Sequence, residues 1–262
     1  MRAILRYPGA KWQMADEIIS LFTQHKLYIE PFFGSGGVFF QKAPSKEEII
    51  NDSYGEIVHF FHVLRERSAD LIRLLEQTPF AREEFEHAYE ETDDPVERAR
   101  RFYIRCWMGH TSRQSGRTGF NGFETPEIFY NAVSGLSRAS ERLKHATIEN
   151  IDAVKLCKAY PYSDTLIYAD PPYPHSETSQ REGLYARDMT EDEHIELLDT
   201  LIAHPGPVVI SGIEHPLYNN KLLHESHRWN MKYIGKGNIQ SNKYHEAVWW
   251  NENAGTPQQS LF

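Results

Sequence analysis

Asp170-Pro171-Pro172-Tyr173 follows directly on the apolar run Leu166-Ile167-Tyr168-Ala169. A short β-rich run that ends in an acid reads as a buried strand delivering a carboxylate to its C-terminal end. Two prolines then fix φ and remove two backbone donors, so the chain leaves the strand in a stiff, extended turn. The Asp170 carboxylate, the Pro171 carbonyl and the Tyr173 ring thus share one rigid corner. That set suits a planar amine, with two acceptors for its N–H bonds and a ring to stack on. In an open α/β sheet, ligands bind at the carboxyl ends of the strands. A strand followed by a proline turn of no chemical meaning is the bland alternative, and the tetrapeptide alone leaves both open.

A second acid stands before a glycine turn in Tyr28-Ile29-Glu30-Pro31-Phe32-Phe33-Gly34-Ser35-Gly36-Gly37-Val38. Glycines there let the backbone approach a ligand closely. The pattern is neither G-x-G-x-x-G nor a P-loop. An acid at this place repels phosphates and suits a ligand carrying an ammonium and a sulfonium. About twenty residues on, Ile49-Ile50-Asn51-Asp52 ends another strand-like run with an acid, at the spacing of a ribose ligand or of a helix N-cap. Arg6-Tyr7-Pro8-Gly9-Ala10-Lys11 offers an aromatic, a tight turn and a cation, or simply a loop entering a helix.

Strand-like runs at Tyr28–Glu30, Ile49–Asn51, Ala146–Glu149, Leu166–Ala169 and Val208–Ser211 must position these groups. Helical patterns between several of them imply a parallel α/β sheet with helices on its faces. The expected division is a discontinuous α/β catalytic and cofactor-binding domain over 1–54 and 145–251. A helical insertion fills 55–144, with helices at Ile57–Arg65, Ala69–Gln77, Glu83–Glu91 and Val96–Trp107 and an exposed loop from Thr111 to Gly122. Residues 252–262 read as a flexible tail. No stretch is long and apolar enough for a transmembrane span, and the start lacks a signal-peptide core. Cys106 and Cys157 are the only cysteines, which excludes a disulfide framework or a cysteine-based zinc site and suits a cytoplasmic setting. The net charge of −9 argues against nucleic acid as a partner. Its distribution does not: Arg98 to Phe123 contains no acid but six arginines, Arg98 included, and local basic faces set phosphate contact.

Taken in order, Tyr-Pro-Gly-Ala-Lys, Glu-Pro-Phe-Phe-Gly-Ser-Gly, Asn-Asp, a helical insertion and Asp-Pro-Pro-Tyr closely resemble the Dam-like (D12 class, alpha group) DNA adenine-N6 methyltransferases. The likeness extends to Val208-Val209-Ile210-Ser211 and Glu246-Ala247-Val248-Trp249-Trp250-Asn251 and is weakest across the insertion. It implies a Rossmann-like, seven-stranded methyltransferase sheet and S-adenosylmethionine as cofactor. Carried over by residue, it places Tyr7, Lys11, Glu30, Phe32, Gly34, Ser35, Gly36, Asp52 and Asp170 at the cofactor, with Asp152 meeting the cofactor's adenine. Ala153, where the family often has Phe, departs from that pattern.

The mechanism expected from this resemblance starts with base flipping, because the exocyclic amine is unreachable inside a duplex. Tyr173 stacks on the extruded base, Asp170 and Pro171 accept the amine's N–H bonds, and Pro172 stiffens the corner. Double-stranded DNA is the expected partner, read by Arg105, Arg113, Gln114, Arg117 and Asn121, which have the chemistry to contact base edges or phosphates. Gln258-Gln259-Ser260-Leu261-Phe262 resembles the pentapeptide that docks replication proteins on the bacterial sliding clamp, with Gln258, Leu261 and Phe262 as its contacts. A monomeric, nucleoid-associated enzyme is expected, free of metal despite thirteen histidines. A cytosine-N4 or RNA adenine methyltransferase, and a non-catalytic DNA- or clamp-binding module, are the competing readings.

Overall fold

The computed structural model of the protein describes residues 3–110, 116–123, 125–174, 188–235 and 245–255. The expected strands form and two more join them: β1 (Leu27–Glu30), β2 (Glu47–Asn51), β3 (Thr147–Glu149), β4 (Thr165–Ala169), β5 (Val208–Ile213), β6 (Trp229–Tyr233) and β7 (Glu246–Asn251). They make one seven-stranded sheet in the order β3-β2-β1-β4-β5-β7-β6. The first five run parallel, with Ile29 level with Ile49 and Ile167, and Tyr168 level with Val209. Every residue of β1 and β4 is buried, as befits parallel strands covered on both faces.

Strand β7 runs antiparallel between β5 and β6, so its first residue, Glu246, stands opposite Ile213 at the end of β5. An acid at the start of an antiparallel strand therefore reaches the edge where the parallel strands finish. The sequence pattern marks the parallel strands but neither member of this hairpin, which completes the expected seven-stranded, Rossmann-like sheet.

Helices cover both faces. On one side lie α1 (Ala15–Ile19) and the insertion helices α2 (Gly55–Glu66), α3 (Ser68–Glu76), α4 (Arg82–His87), α5 (Pro95–Met108), α6 (Pro126–Val133) and α7 (Leu136–Leu143). Their core, including Phe60, Phe61, Phe102 and Tyr103, is continuous with Tyr28, Ile50, Leu166, Tyr168, Val209 and Val248 of the sheet. The alternate residues Ile29, Ile49, Ile167, Ile210 and Trp249 face a second core with Leu156, Leu197, Leu198 and Leu201, from α8 (Ala153–Ala159) and α9 (Glu191–Ile202). Local signals start the long helices. Asp94 accepts from the Val96 and Glu97 amides ahead of α5, and Thr190 with Glu193 forms a capping box on α9.

Three expectations meet corrections. Helix α4 stops at His87 rather than running to Glu91, and side chains from elsewhere take carbonyls at and just beyond its end. Arg105 donates to Ala88 O (2.6 Å), Arg101 to Glu90 O (2.8 Å) and Arg117 to Glu86 O (3.1 Å). Four arginines of the acid-free stretch, Arg98, Arg100, Arg101 and Arg105, are ion-paired and not a free basic face. Folding brings Glu56 of α2 to Arg98 and Arg105, and Glu84 of α4 to Arg100, while Glu97 holds Arg100 and Arg101. Finally, 252–255 begins docked instead of free: Gly255 N–H donates to Leu21 O (2.9 Å), and Ala254 is buried. Among the described residues no helix is long and apolar enough to cross a membrane.

Candidate active site

The glycine turn after β1 shapes the site through its backbone. Gly34 and Gly36 take φ of +50° and +68°, the left-handed region that favours glycine. A Cβ on Gly36 would lie 2.5 Å from Phe33 Cζ and 2.7 Å from Phe40 Cε2. At Gly37 it would lie 3.1 Å from the Trp12 amide nitrogen, so the N-terminal motif packs directly on the turn. Trp12 Nε1 donates to Ser35 Oγ (3.0 Å), and Tyr7 lies against Gly34. Asp52 locks the same turn from β2, with Oδ2 accepting from Gly34 N–H (2.8 Å) and Oδ1 from Tyr54 N–H (2.9 Å). Asn51, buried beside it, ties Pro31 O to both the amide and the carbonyl of Ile151.

These elements enclose a cavity of about 370 Å³ at the carboxyl edge of the sheet. Of the expected cofactor residues, Tyr7, Lys11, Glu30, Phe32, Gly34, Ser35, Asp52, Asp152 and Asp170 all line it. Gly36 does not; its packing against Phe33 and Phe40 shapes the wall from behind. Asp152 also caps α8, accepting from Lys155 N–H (2.9 Å).

The cavity acids Glu30 and Asp52 have no ion-pair partner among the described residues. Glu30 is 2% exposed, and its Oε2 accepts from Tyr28 OH (2.7 Å). Burial pushes its carboxyl up to about 8, against the lowering effect of that hydrogen bond. Burial also pushes Asp52 up to about 6, with the Tyr54 and Gly34 amides pulling the other way.

On the β4–β5–β7 side a cation organises the acids. Lys11 is 3% exposed and donates to Gly9 O (2.7 Å), to Tyr173 OH (2.8 Å) and to Asp170, whose two oxygens lie 2.9 and 3.0 Å away. Burial works against its charge, but Asp170 and Glu246 more than restore it, so Lys11 stays an ammonium. With all three of its protons engaged, Tyr173 OH must accept from Lys11 and donate onward, to Glu246 Oε1 at 2.7 Å. Ser211 Oγ donates to Asp170 Oδ1 (2.8 Å) and is itself 2.8 Å from Tyr168 OH. Burial raises the Asp170 carboxyl, with Lys11 pulling it back down.

Ser211 and Glu246 are the site residues that sequence reasoning missed, although both lie in segments that carry the resemblance. Their only local signal is a polar residue at the end or start of an apolar strand. Pro171 and Pro172 carry the chain from β4 to Tyr173, and Pro172 lines the cavity. Among the expected DNA contacts, Arg105 is held by Ala88 O and Glu56. Asn121 is buried, with Oδ1 accepting from Phe123 N–H (3.3 Å) and its own amide donating to Met108 O (2.7 Å). Arg117 remains exposed, its guanidinium 4.9 Å from the Tyr89 ring centre. Arg113 and Gln114 lie outside the described residues, as do Gln258, Leu261 and Phe262.

Comparison with known proteins adds independent findings. The family model of the D12 class N6 adenine-specific DNA methyltransferases matches residues 7–226. The type II methyltransferase M1.LlaDCHI of Lactococcus lactis subsp. cremoris is 27% identical over 220 residues, 76% of this chain and 75% of that protein. The type II methyltransferase M.MjaIII of Methanocaldococcus jannaschii is 27% identical, over 75% of this chain and 78% of its own length. The DNA adenine methylase of Escherichia coli K12 is 24% identical over 80% of each chain.

Proposed function

The chain belongs to the D12 class of N6 adenine-specific DNA methyltransferases, and from that premise we propose how its residues divide the work. S-adenosylmethionine is held on the β1–β2 side of the cavity, and the target adenine, flipped out of double-stranded DNA, is held at Tyr173. One observation carries this reading: the cavity joins Glu30 and Asp52, which have no ion-pair partner among the described residues, to Asp170, which is bound to Lys11. A ligand bearing an ammonium and a sulfonium fits the first half, because Glu30 lines it without an ion-pair partner among the described residues, and its ionised form can meet that charge. Asp52 stands ready for the ribose hydroxyls, Asp152 for the cofactor's adenine, and Tyr7 for apolar contact. When bound, the cofactor would supply an electrophilic methyl group, its C–S bond breaking to leave a neutral thioether as the N–C bond forms.

Asp170 does the rest. A carboxylate offers about four acceptor positions. Oδ1 takes Ser211 and Lys11, and Oδ2 takes Lys11, which leaves a position on Oδ2 for one N–H of the amine. The Pro171 carbonyl takes the other N–H. Acceptance by both groups localises the nitrogen lone pair and stabilises the positive charge that develops as the N–C bond forms. The surplus amine proton then passes to Asp170, whose buried carboxyl is raised toward accepting it. Stacking on Tyr173 offsets part of the few kcal/mol lost when the base leaves the duplex.

In the insertion, Arg105 braces the end of α4 against α2 and Asn121 the base of the loop, leaving Arg117, Arg113 and Gln114 to contact DNA. The protein acts as a monomer on this reading, and the peptide ending at Phe262 docks on a bacterial sliding clamp. The test is to incubate protein and S-adenosylmethionine with unmethylated bacterial DNA and map modified bases by single-molecule sequencing. A single motif marked at adenine N6 is the expected result. Marks on cytosine, or none on DNA with cofactor bound, would overturn it. A peptide of residues 255–262 that fails to bind the clamp would dispose of the docking role alone.

A further inference from the structure

Glu246 has no role in the scheme above, yet its carboxylate is held at a cost. Oε2 is buried without a hydrogen-bond partner, 3.9 Å from Lys11 Nζ. A buried carboxylate oxygen that accepts no hydrogen bond is destabilising and rare in folded proteins, and an ion pair at that distance offsets it only in part. Lys11 cannot relieve it, because its three protons already go to Gly9, Asp170 and Tyr173. What the carboxylate does gain is Oε1 against Tyr173 OH at 2.7 Å.

We propose that Glu246 is a positioning residue that fixes the Tyr173 ring for the target base, with Tyr173 OH pinned between Lys11 and Glu246. The inference rests on the reading that Tyr173 receives the base. The ring follows two prolines that hold its backbone, but a tyrosine side chain still turns about its own bonds. Tethering the hydroxyl at the far end of the ring removes that freedom before the base arrives, so less ordering remains to be done on binding. The tether also gives the hydroxyl a purpose: a phenylalanine would stack as well but could not be held. The antiparallel entry of β7 is what makes this possible, since it delivers Glu246 opposite Ile213, beside the ends of the parallel strands. The ring lies over Gly212, next along β5, with Tyr173 Cδ1 and Cε1 3.9 Å from where a Cβ would be, an ordinary van der Waals contact.

The test compares Glu246→Ala, Glu246→Gln, Tyr173→Phe and the Glu246→Ala/Tyr173→Phe double variant. It reads single-turnover methylation, the fluorescence of 2-aminopurine at the target position, cofactor affinity and thermal melting. Glu246→Ala should lower the single-turnover rate about 10- to 100-fold, the scale of a lost charge-assisted hydrogen bond, with a weaker flipped-base signal and cofactor affinity unchanged within about twofold. Tyr173→Phe, which also loses the bond from Lys11, should fall at least as far, and the double variant no further than Tyr173→Phe, because the Glu246 tether is already gone. Glu246→Gln, which keeps an acceptor for the hydroxyl, should recover the rate to within about threefold of wild type. Multiplying effects in the double variant would overturn the proposal. So would a glutamine variant as slow as alanine, or a lower melting temperature with no loss of rate. A wild-type protein that flips no base would remove the reading beneath the proposal, and the proposal with it.

Discussion

Glu30 and Asp170 follow neighbouring parallel strands at the same edge of one sheet, and burial raises both carboxyls. Their surroundings differ in kind. Around Glu30 the site is shaped by backbone, through a glycine turn at positive φ, and its charge is left unpaired. Around Asp170 it is shaped by side chains, with Lys11, Ser211, Tyr173 and Glu246 bonded in one network and a cation already in place. The first half is unfinished until a positive ligand arrives. The second is finished beforehand and has one acceptor position to spare. An enzyme that joins a cationic donor to a neutral amine needs that asymmetry: charge complementarity where the donor binds, fixed geometry where the acceptor is aimed.

The comparison breaks most sharply at Asp170. Asp170→Ala should lower single-turnover methyl transfer about 1000-fold, the scale on which one preorganised electrostatic contact is lost. Cofactor affinity, measured by calorimetry, should change far less. Near-normal turnover would mean that the second half does not perform the chemistry. Gly36→Ala attacks the first half through its backbone. A side chain at φ +68°, 2.5 Å from Phe33 Cζ, should cost about 2–4 kcal/mol of stability, read by denaturant unfolding. If the variant unfolds like wild type, the turn is not the rigid wall it is taken to be.

The two halves also differ in how far the sequence foretells them. Glu30, Asp52 and Asp170 are legible because the signal is local: an apolar run, then an acid, then glycine or proline. Lys11 is legible as a motif member, though not as the centre of the second half, because its partners lie 159 and 162 positions away. Ser211 escapes because its contact with Asp170 depends on β4 pairing with β5, and Glu246 because its place depends on β7 entering the sheet antiparallel; pairing of distant strands leaves no periodic trace. The insertion shows the opposite error. Its arginines look unpaired along the chain, but Glu56 lies 42 positions before Arg98 and 49 before Arg105. Contacts at such separation are set by packing, not by composition.

Glu30 offers a quantitative test of the unfinished half. Its carboxyl is pushed up to about 8 in the folded protein from an ordinary 4.5. Between those values the folded state keeps a proton that the unfolded chain has lost, so stability should fall as pH rises across that window. Asp52, at about 6 rather than 3.8, adds a fall of the same sign over its own narrower range. Binding a cation at Glu30 requires the ionised form, so affinity should run the other way. Between pH 7.5 and 6.5 wild-type cofactor affinity should drop about tenfold, one proton per ligand. In Glu30→Gln affinity should be weaker at pH 8 and nearly flat below it, while the melting temperature loses much of its downward slope. A wild-type affinity independent of pH over this range would mean that Glu30 does not meet the ligand's charge.

The smallest expected effect extends the comparison to the insertion, where arginines are paired inwardly much as Lys11 is. Arg105 and Arg117 both donate to carbonyls at the end of α4, but Arg105 also pairs with Glu56 and lies near the Phe102 and Tyr89 rings. Arg117 has the Glu86 carbonyl and the face of Tyr89, and is otherwise open to solvent. Arg105→Ala should therefore cost stability and leave the salt dependence of DNA binding alone. Arg117→Ala should cost under about 1 kcal/mol of stability. It should weaken DNA binding only a few-fold, reducing the slope of log affinity against log salt by about one if it meets a phosphate. Titrations of both variants from 50 to 200 mM salt, on target and unrelated duplexes, separate the two. A loss confined to the target duplex would make Arg117 a reader of bases. Equal changes in slope for both arginines would mean that the Glu56 pairing opens on DNA, and that the insertion, unlike the Lys11 network, is not finished before its partner arrives.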